Sequence, residues 1–413
     1  MSLPGSKSIS NRALLLSSLA DKSTALLNCL EAEDTRVMLN ALRSLGVTFR
    51  QSKTDLHVQG CGGVFPAREA SLFLGNAGTA FRSLTAALAF SGGRYQLDGV
   101  ARMRERPIAD LVDALNRIGA RIRYLGAAGF PPLLIEPAHS LSSERVVIKA
   151  DVSSQFLSGL LMSAPLIASE NGLRIAVDGR LISEPYVELT LSLMKDFGVS
   201  VARDATDYIV LKARYTSPGR FVVEGDASSA SYFLALGAVA GGPVRVEGAG
   251  RDSKQGDVQF THALSKMGAE ITWGEHYIEA RGPAVGRLRA LDMDCNHIPD
   301  AAMTLAIVAL FADAPSTLRN IGSWRVKETD RIAAMAVELR RVGADVDEGA
   351  DWIRIAPPQQ WREATIDTYD DHRMAMCFSL IGVAGVRVHI RNPQCVAKTF
   401  PAYFDRLAEL VRQ

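Results

Sequence analysis

Apolar residues occur along the chain in two kinds of segment that alternate and repeat. The first kind is an almost wholly apolar stretch, rich in small residues, that follows a polar head. Six copies start at intervals of 69 to 75 residues, near Ser10, Thr79, Ser153, Ser228, Pro299 and His372. A helix that is apolar on all sides is a buried helix. The pattern therefore predicts six buried helices.

The second kind of segment is an amphipathic helix that ends at a glycine and is followed by alternating apolar and polar residues. Five copies are complete, with their glycines at Gly46, Gly119, Gly198, Gly268 and Gly343. Each glycine stands where the residue after a helix needs a positive φ. A sixth copy starts at Tyr403 and reaches Gln413 before its glycine. We interpret these segments as surface helices that each lead into a strand.

Further strand candidates lie between the two kinds of helix, for example at residues 93–97, 173–177 and 386–390. One repeat of about 70 residues is thus predicted to contain a helix, a strand, a second helix and then one or more strands, in that order. Six repeats predict an α/β protein of two similar inverse α/β domains with three repeats each. Buried helices lie inside each domain, and sheets and surface helices lie outside. The predicted domains are residues 1–224 and 225–413.

Bulk composition narrows the class of protein. The chain has 413 residues, a formal net charge of +1 and 47% hydrophobic residues, so it does not resemble a nucleic-acid or membrane-surface binder. Its five cysteines show no metal-ligand spacing. The longest apolar run, residues 301–312, is too short to span a bilayer, and the first residues do not resemble a secretory signal. We expect a cytoplasmic monomer.

Charges are concentrated in residues 323–331 (SWRVKETDR), directly before an amphipathic helix. Thr329 or Asp330 can cap that helix. Arg331 then falls in its first turn, where the helix dipole disfavours a cation. An anion between Arg331 and the free amides would explain this placement, although most charge runs are solvated loops.

The polar heads of the buried helices place further cations at helix starts, at Arg12, Arg82 and Arg373. Small hydroxyl residues and glycines in these heads leave backbone amides open to phosphate or carboxylate oxygens. We therefore predict a site for one heavily anionic ligand, or for two. Ser153 and Ser154 are interpreted as caps that also contact a ligand, and Ser228 and Ser229 as caps alone.

Six motifs in this order closely resemble 5-enolpyruvylshikimate-3-phosphate synthases, from residue 3 to the C-terminus. They are residues 3–12 (LPGSKSISNR), 74–79 (LGNAGT), 104–108 (RERPI), 324–331 (WRVKETDR), 371–376 (DHRMAM) and 397–401 (AKTFP). The resemblance implies an enolpyruvyl transferase-like fold, with the active site in the cleft between two domains. It implies neither a metal nor an organic cofactor.

Site residues follow from the resemblance by matching motif. It implies that shikimate 3-phosphate is bound by Lys7, Ser8, Arg12, Ser153, Ser154, Gln155, Ser183, Tyr186, Asp300, Ser323 and Lys327. It implies that phosphoenolpyruvate is bound by Lys7, Gly78, Arg106, Gln155, Arg331, Arg373 and Lys398.

The reaction implied by the resemblance is an addition followed by an elimination, on the route to chorismate and the aromatic amino acids. The 5-hydroxyl of shikimate 3-phosphate attacks C2 of phosphoenolpyruvate while C3 gains a proton. Phosphate then leaves and C3 loses a proton. The family's chemistry assigns the base at the hydroxyl to Asp300 and the proton transfer at C3 to Glu328 with Lys7.

The chain departs from the family pattern at three places. The family usually has about one more strand before residue 3, and we expect that strand to complete the sixth repeat. Ser323 stands where asparagine is common, which would make one substrate hydrogen bond absent or water-mediated. Ser83 replaces a proline that we place in the first turn of its helix, and a looser loop there would change discrimination against glyphosate, the family's inhibitor.

Two alternatives remain open at this point. The sister enolpyruvyl transferase acts on UDP-N-acetylglucosamine and commonly uses a cysteine in the loop that here contains residues 104–107, whereas this chain has no cysteine between Cys61 and Cys295. A non-catalytic anion-binding protein of the same fold would need the cations but neither Asp300 nor Glu328.

Overall fold

The computed structural model of the chain describes residues 1–52, 55–138 and 141–411. The chain divides into two compact units. We call Ser6–Val223 the first unit, and Met1–Gly5 with Glu224–Gln413 the second unit.

Twelve α-helices lie in the described part of the chain. They are α1 (Lys7–Leu19), α2 (Glu33–Ser44), α3 (Gly78–Leu88), α4 (Ala109–Arg117), α5 (Ser154–Ile167), α6 (Glu184–Asp196), α7 (Ala227–Ala240), α8 (Phe260–Lys266), α9 (Ala302–Val308), α10 (Arg331–Arg341), α11 (His372–Ser379) and α12 (Tyr403–Val411). The six odd-numbered helices follow the buried pattern, as predicted. The six even-numbered helices follow the amphipathic pattern.

The buried character of α1, α3, α5, α7, α9 and α11 is confirmed, because their apolar residues are almost without exception inaccessible to solvent. The five predicted glycines after the surface helices all have positive φ, from 83° at Gly198 to 106° at Gly119. Among the described residues, none of the helices combines the length and apolar character needed to cross a bilayer.

Twenty-one strands lie in the same described ranges. They are β1 (Ser23–Leu27), β2 (Thr48–Gln51), β3 (Asp55–Gln59), β4 (Glu69–Phe73), β5 (Arg94–Asp98), β6 (Arg121–Tyr124), β7 (Leu133–Glu136), β8 (Arg145–Lys149), β9 (Leu173–Asp178), β10 (Ala202–Asp204), β11 (Asp207–Val210), β12 (Arg220–Val222), β13 (Val244–Glu247), β14 (Glu270–Trp273), β15 (Tyr277–Arg281), β16 (Asp292–Asp294), β17 (Ser316–Arg319), β18 (Asp345–Glu348), β19 (Trp352–Ala356), β20 (Ala364–Ile366) and β21 (Val388–Ile390).

The second, third and fifth repeats each build one small sheet by the same rule. A buried helix connects two parallel strands, as α3 does between β4 and β5, where Ala70 pairs with Tyr95. A surface helix and an antiparallel hairpin follow, so that the second repeat has the strand order β4-β5-β7-β6. The third and fifth repeats give β10-β11-β9-β8 and β16-β17-β19-β18. This periodic plan is what the sequence repeat predicts.

The sheets of the first, fourth and sixth repeats depart from this plan. β12, from the end of the first unit, pairs in parallel with β1 in the order β12-β1-β3-β2. In the fourth repeat (β13-β15-β14), Ser2 forms a parallel bridge with Glu247 of β13. The sixth sheet has two strands, β20 and β21, within the described residues. The residues before the first motif thus pair with the fourth repeat. That a further strand before them completes the sixth repeat stays a prediction.

Three element boundaries differ from the sequence prediction. α9 begins at Ala302 rather than near Pro299, because residues 297–301 form turns before the helix, and a 3₁₀ turn at Ala309–Phe311 ends it. β10 begins at Ala202, although the alternating pattern that predicted it starts directly after Gly198. Asp226 caps α7 by accepting from the Ser229 amide, whereas the Ser228 hydroxyl donates to Asp257; the prediction that Ser228 and Ser229 act as caps was wrong.

Each unit has its own hydrophobic core. In the first unit the core includes Phe81, Phe156 and Phe197. In the second unit it includes Phe233, Trp324 and Tyr403, and Leu3 from the start of the chain belongs to it as well. Buried hydroxyls also join the central helices of the second unit, because Ser231 of α7 contacts Thr304 of α9 at 2.8 Å.

Candidate active site

Residues 323–331 form a partly buried segment of the second unit: Ser323, Trp324, Glu328 and Arg331 are buried, and the other five residues are half-buried. A 3₁₀ turn covers Gly322–Val326, and the Trp324 indole donates to the Pro299 carbonyl at 2.6 Å. Asp330 caps α10 by accepting from the Ala333 amide at 3.1 Å, which confirms one of the two predicted caps. Its carboxylate also accepts from Arg325 at 2.8 Å. The segment is therefore anchored at Trp324 and at the cap of α10.

Arg331 is buried to 1% exposure among three carboxylates. Its Nε donates to Asp371 at 2.7 Å, and its two terminal nitrogens donate to Glu328 at 2.8 Å and to Asp300 at 3.2 Å. Burial alone would lower the pKa of Arg331, but the charges of Asp371, Glu328 and Asp300 outweigh it and raise the pKa above the ordinary value. The anion expected beside this arginine is thus supplied first by the protein's own carboxylates.

Asp300 lies at the centre of the same cluster. Its Oδ1 is 3.2 Å from Arg331 and 3.8 Å from the Lys327 ammonium, and its Oδ2 accepts from Arg373 at 2.8 Å. Arg373 in turn donates to the Tyr232 hydroxyl at 3.1 Å. We call the six charged residues Asp300, Lys327, Glu328, Arg331, Asp371 and Arg373 the second-unit cluster. It contains three cations and three carboxylates, so its formal charge is balanced.

Lys7 begins α1 of the first unit, and its ammonium lies 3.7 Å from the carboxylate of Asp34 on α2. Both side chains are nearly buried, at 12% and 4% exposure. A close opposite charge fixes a flexible lysine in one position. Asp34 therefore holds Lys7 at the start of the first buried helix.

Arg12, one turn further along α1, is buried among neutral oxygens. Its guanidinium donates to the Thr190 hydroxyl at 2.7 Å and to the Ser8 and Tyr186 carbonyls at 3.0 and 3.3 Å. Ser158 of α5 accepts a further bond at 3.5 Å. Burial lowers the pKa of Arg12 to about 10. Neutral partners orient the guanidinium without cancelling its charge, which suits the binding of an anionic ligand.

Gly78 lies between two buried arginines of the first unit. A Cβ atom added at Gly78 would lie 2.6 Å from Nη2 of Arg106 and 2.7 Å from Nη1 of Arg82. Arg106 also donates to the carbonyl and the side-chain oxygen of Asn76, at 3.1 and 3.0 Å. A side chain at Gly78 would displace these guanidinium groups, because they lie against the backbone here. An anion between two such cations would relieve their repulsion.

The remaining predicted residues of the first unit lie at helix starts. Ser153 caps α5 by accepting from the Gln155 amide at 3.3 Å, and Ser154 and Gln155 form the first turn. Ser183 precedes α6, buried and with φ of 55°, and Tyr186 lies in the first turn of that helix. Since Arg12 contacts α5 through Ser158 and α6 through Tyr186 and Thr190, the structure brings these three helix starts of α1, α5 and α6 together.

Ser323 and Lys398 complete the predicted set in the second unit, and both are buried, at 6% exposure each. Ser323 lies in the 3₁₀ turn before Lys327, and Lys398 ends a 3₁₀ turn at Pro393–Lys398. The placement of Ser83 differs from the prediction. Because α3 begins at Gly78, Ser83 is its sixth residue and lies in the second turn rather than the first.

Sequence reasoning missed three residues that position the predicted ones. Asp371 was read as part of a motif without a role, yet it both caps α11 and binds Arg331. Asp34 and Tyr232 gave no local signal, because their partners Lys7 and Arg373 are far away along the chain. The one sequence signal for Asp371 is that an acidic residue directly before a helix is a common N-cap.

The chain is similar to known proteins along almost its whole length. Residues 1–407 match the model of the family described as EPSP synthase (3-phosphoshikimate 1-carboxyvinyltransferase). A protein named 3-phosphoshikimate 1-carboxyvinyltransferase from Thiobacillus denitrificans is 60% identical, over 99% of this chain and 96% of its own length. The protein of the same name from Cellvibrio japonicus is 59% identical, with the same two coverages.

Solved structures show the same fold. The EPSP synthase of Acinetobacter baumannii aligns with a TM-score of 0.79 and 25% identity, over 99% of this chain and 94% of that one. The enolpyruvyl transferase NikO of Streptomyces tendae aligns with a TM-score of 0.77 over 100% of this chain and 94% of that one. At 18% identity, this second structural similarity supports only the assignment of the fold.

Proposed function

Because the chain belongs to the EPSP synthase (3-phosphoshikimate 1-carboxyvinyltransferase) family, we propose roles in that family's reaction for the charged residues described above. The enzyme transfers the enolpyruvyl group of phosphoenolpyruvate to the 5-hydroxyl of shikimate 3-phosphate and releases phosphate. This step belongs to the shikimate pathway, which leads to chorismate and the aromatic amino acids. The sister activity on UDP-N-acetylglucosamine is not favoured by any of the named relatives.

The proposal assigns shikimate 3-phosphate to the residues around Arg12, with Asp300, Ser323 and Lys327. Arg12 supports it because a buried guanidinium held by neutral oxygens keeps its charge for a phosphate or carboxylate. The other assigned residues of the first unit are Lys7, Ser8, Ser153, Ser154, Gln155, Ser183 and Tyr186.

Phosphoenolpyruvate is assigned to arginines of both units and to their neighbours. Arg106 lies against Gly78, where a small anion can approach the backbone of the helix start. Arg331 and Arg373 have planar donor groups that match carboxylate and phosphate oxygens. Lys7, Gln155 and Lys398 complete this assignment.

The chemistry requires two proton transfers and stabilisation of charge on the departing phosphate. We assign to Asp300 the proton of the 5-hydroxyl, whose oxygen forms the new bond to C2 as the double-bond electrons take a proton at C3. In the second step phosphate leaves C2 with its bonding electrons, and C3 gives up a proton to restore the double bond. Glu328, with Lys7, is assigned to the proton at C3, and the cations stabilise the phosphate.

A single observation supports these catalytic roles best: Asp300 and Glu328 converge on the same buried guanidinium, that of Arg331. In a protein that only binds anions, two carboxylates at that position would repel the ligand. Their presence is explained if they move protons.

Phosphate release from phosphoenolpyruvate tests the proposal, with shikimate 3-phosphate or UDP-N-acetylglucosamine as acceptor. We expect release with shikimate 3-phosphate alone, and a kcat lower by about 10²- to 10⁴-fold in Asp300→Asn and in Glu328→Gln. Asp292→Asn is the control, because it removes an exposed carboxylate that pairs with Arg319. Release with the nucleotide sugar alone would assign the sister activity. Binding of both anions without turnover by the folded protein would indicate a non-catalytic binder.

We also propose that the enzyme works as a monomer in the cytoplasm and needs no nucleic acid. A formal net charge of +1 supports the absence of a polyanionic partner. Sedimentation at micromolar concentration, with and without both substrates, tests the monomer; a mass near twice 44.6 kDa would contradict it.

A further inference from the structure

Arg373 is held in a different way from Arg331, its neighbour in the second-unit cluster. Arg331 contacts three carboxylates, whereas the contacts of Arg373 include one carboxylate, Asp300 at 2.8 Å, and one neutral oxygen, the Tyr232 hydroxyl at 3.1 Å. Asp300 is also the residue assigned to the substrate hydroxyl. Any turn of Asp300 towards the substrate weakens its hold on Arg373, and the Tyr232 contact then gains importance.

Tyr232 is well placed to serve as a fixed anchor. It belongs to α7 and is 1% exposed. Its ring packs edge-on against the ring of Tyr403, with centroids 5.6 Å apart. Tyr403 is itself fixed, since its hydroxyl bonds to the Met376 carbonyl at 3.0 Å and to the Ser379 hydroxyl at 2.9 Å. The position of the Tyr232 hydroxyl is therefore set by packing and does not depend on a ligand.

A neutral acceptor has an advantage over a carboxylate at this position. A carboxylate would orient Arg373 but would also compete with an anionic ligand for the same guanidinium. The Tyr232 hydroxyl orients the group without placing a second carboxylate charge beside it. Burial also keeps this hydroxyl protonated, because it raises the pKa of Tyr232 well above the ordinary value.

We propose that Tyr232 is a positioning residue, which fixes the guanidinium of Arg373 for the anionic groups of phosphoenolpyruvate through its neutral hydroxyl. It acts through Arg373 and takes no part in proton transfer. This inference rests on the proposed function, which assigns phosphoenolpyruvate to Arg373.

The test compares Tyr232→Phe with Tyr403→Phe in steady-state kinetics with each substrate varied in turn. Both changes remove one hydroxyl from a fully buried ring of the same aromatic cluster, but Arg373 donates to Tyr232 and not to Tyr403 in the described hydrogen bonds. For Tyr232→Phe we expect KM for phosphoenolpyruvate to rise about tenfold, with KM for shikimate 3-phosphate within about twofold of wild type. For Tyr403→Phe we expect both KM values to stay within about twofold of wild type, even if its melting temperature falls as far as that of Tyr232→Phe.

A double-mutant cycle with Arg373→Lys makes the test independent of stability. If Tyr232 acts through Arg373, Tyr232→Phe raises KM for phosphoenolpyruvate in the wild type and has little further effect in Arg373→Lys. An unchanged KM in Tyr232→Phe, an equal rise in Tyr403→Phe, or fully additive effects in the cycle would each overturn the inference. Wild-type protein without any phosphate release would instead contradict the proposed function, so the two failures are distinguishable.

Discussion

Arginines near helix starts are the most informative residues of this chain, because the helix dipole disfavours a cation there. The structure compensates Arg331 with three carboxylates and surrounds Arg12 with neutral oxygens. Removing one partner of a buried ion pair costs about 3–5 kcal/mol, so the carboxylates around Arg331 also hold the cluster together. The neutral oxygens around Arg12 keep positive charge available for a ligand.

Gly78 gives a prediction at the scale of one residue. In Gly78→Ala the new Cβ meets the tips of Arg106 and Arg82 at less than 3 Å, so both guanidinium groups must move. We expect KM for phosphoenolpyruvate to rise about tenfold, with KM for shikimate 3-phosphate much less affected. Steady-state kinetics checks this. Gly382→Ala is the control, because a Cβ at that position meets nothing within 4 Å. Equal KM values in wild type and Gly78→Ala would contradict the prediction.

At the residue scale, sequence reasoning identified charges but not their partners. Arg331 was recognisable as anomalous because the helix start that makes it so lies in the same nine residues. Asp371, its closest partner, is 40 residues away, and only the packing of α11 beside α10 brings the two together. Taken alone, the sequence of residues 323–331 is more typical of a solvated loop, and only the structure shows that Trp324 is buried.

At the scale of elements, the loop between β20 and α11 is held by a buried carboxylate. Tyr369 and Asp370 both have positive φ, 54° and 56°, a conformation that costs energy in residues other than glycine. Glu338 of α10 accepts from the Tyr369 hydroxyl at 2.7 Å and from the Asp367 amide at 3.3 Å. The loop leads directly into Asp371 and Arg373, so α10 fixes the start of α11 through Glu338.

The ionisation of Glu338 makes this anchor dependent on pH. Burial raises the pKa of Glu338, although the Tyr369 hydroxyl and the charge of Arg341 oppose the shift. A raised pKa in the folded state means that stability from this group is present below the unfolded pKa of about 4.3 and is lost as pH rises through the folded pKa. We therefore expect the stability of wild type relative to Glu338→Gln to fall with rising pH in that window.

Thermal melts of both proteins between about pH 4 and pH 7 check this expectation. Glu409→Gln is the matched control, since Glu409 is exposed and pairs with Arg406 on the surface. Its melting temperature should stay close to that of wild type across the range. A difference between wild type and Glu338→Gln that is constant with pH would show that Glu338 does not titrate as described.

Periodicity predicted the existence and order of elements better than their ends. The surface helices were recognisable because each combines an apolar stripe with a terminal glycine in a left-handed conformation, as at Gly343. The start of α9 and the cap of α7 were misplaced, because a proline or a serine pair suits a helix start and a preceding turn equally well. Such local choices are settled by tertiary packing.

At the scale of the whole molecule, the two units have separate cores that do not follow the order of the chain. Leu3, next to the first motif, belongs to the core of the second unit and is 5% exposed. Its amide donates to the Glu247 carbonyl at 3.0 Å, beside the bridge between Ser2 and Glu247. The first residues thus stabilise a unit whose other residues begin more than 200 positions later.

Leu3→Ala tests this assignment. Loss of a buried leucine side chain costs about 2–5 kcal/mol, and we expect the loss to fall on the second unit. Hydrogen exchange followed by mass spectrometry should show faster exchange in β13 and β15 and unchanged exchange in α3 and β5 of the first unit. Val285→Ala, at a side chain that is 90% exposed, should change neither. Faster exchange in the first unit alone would contradict the assignment.

The chain leaves and re-enters the second unit at adjacent points. Gly5 forms an antiparallel bridge with Gly225, and the Asp226 amide donates to the Pro4 carbonyl at 2.8 Å. In topological terms the first unit is an insertion between residues 5 and 224 of a host domain. A gene built in this way can exchange its inserted segment with that of a relative as one cassette, because the host needs only a short turn to join its two ends.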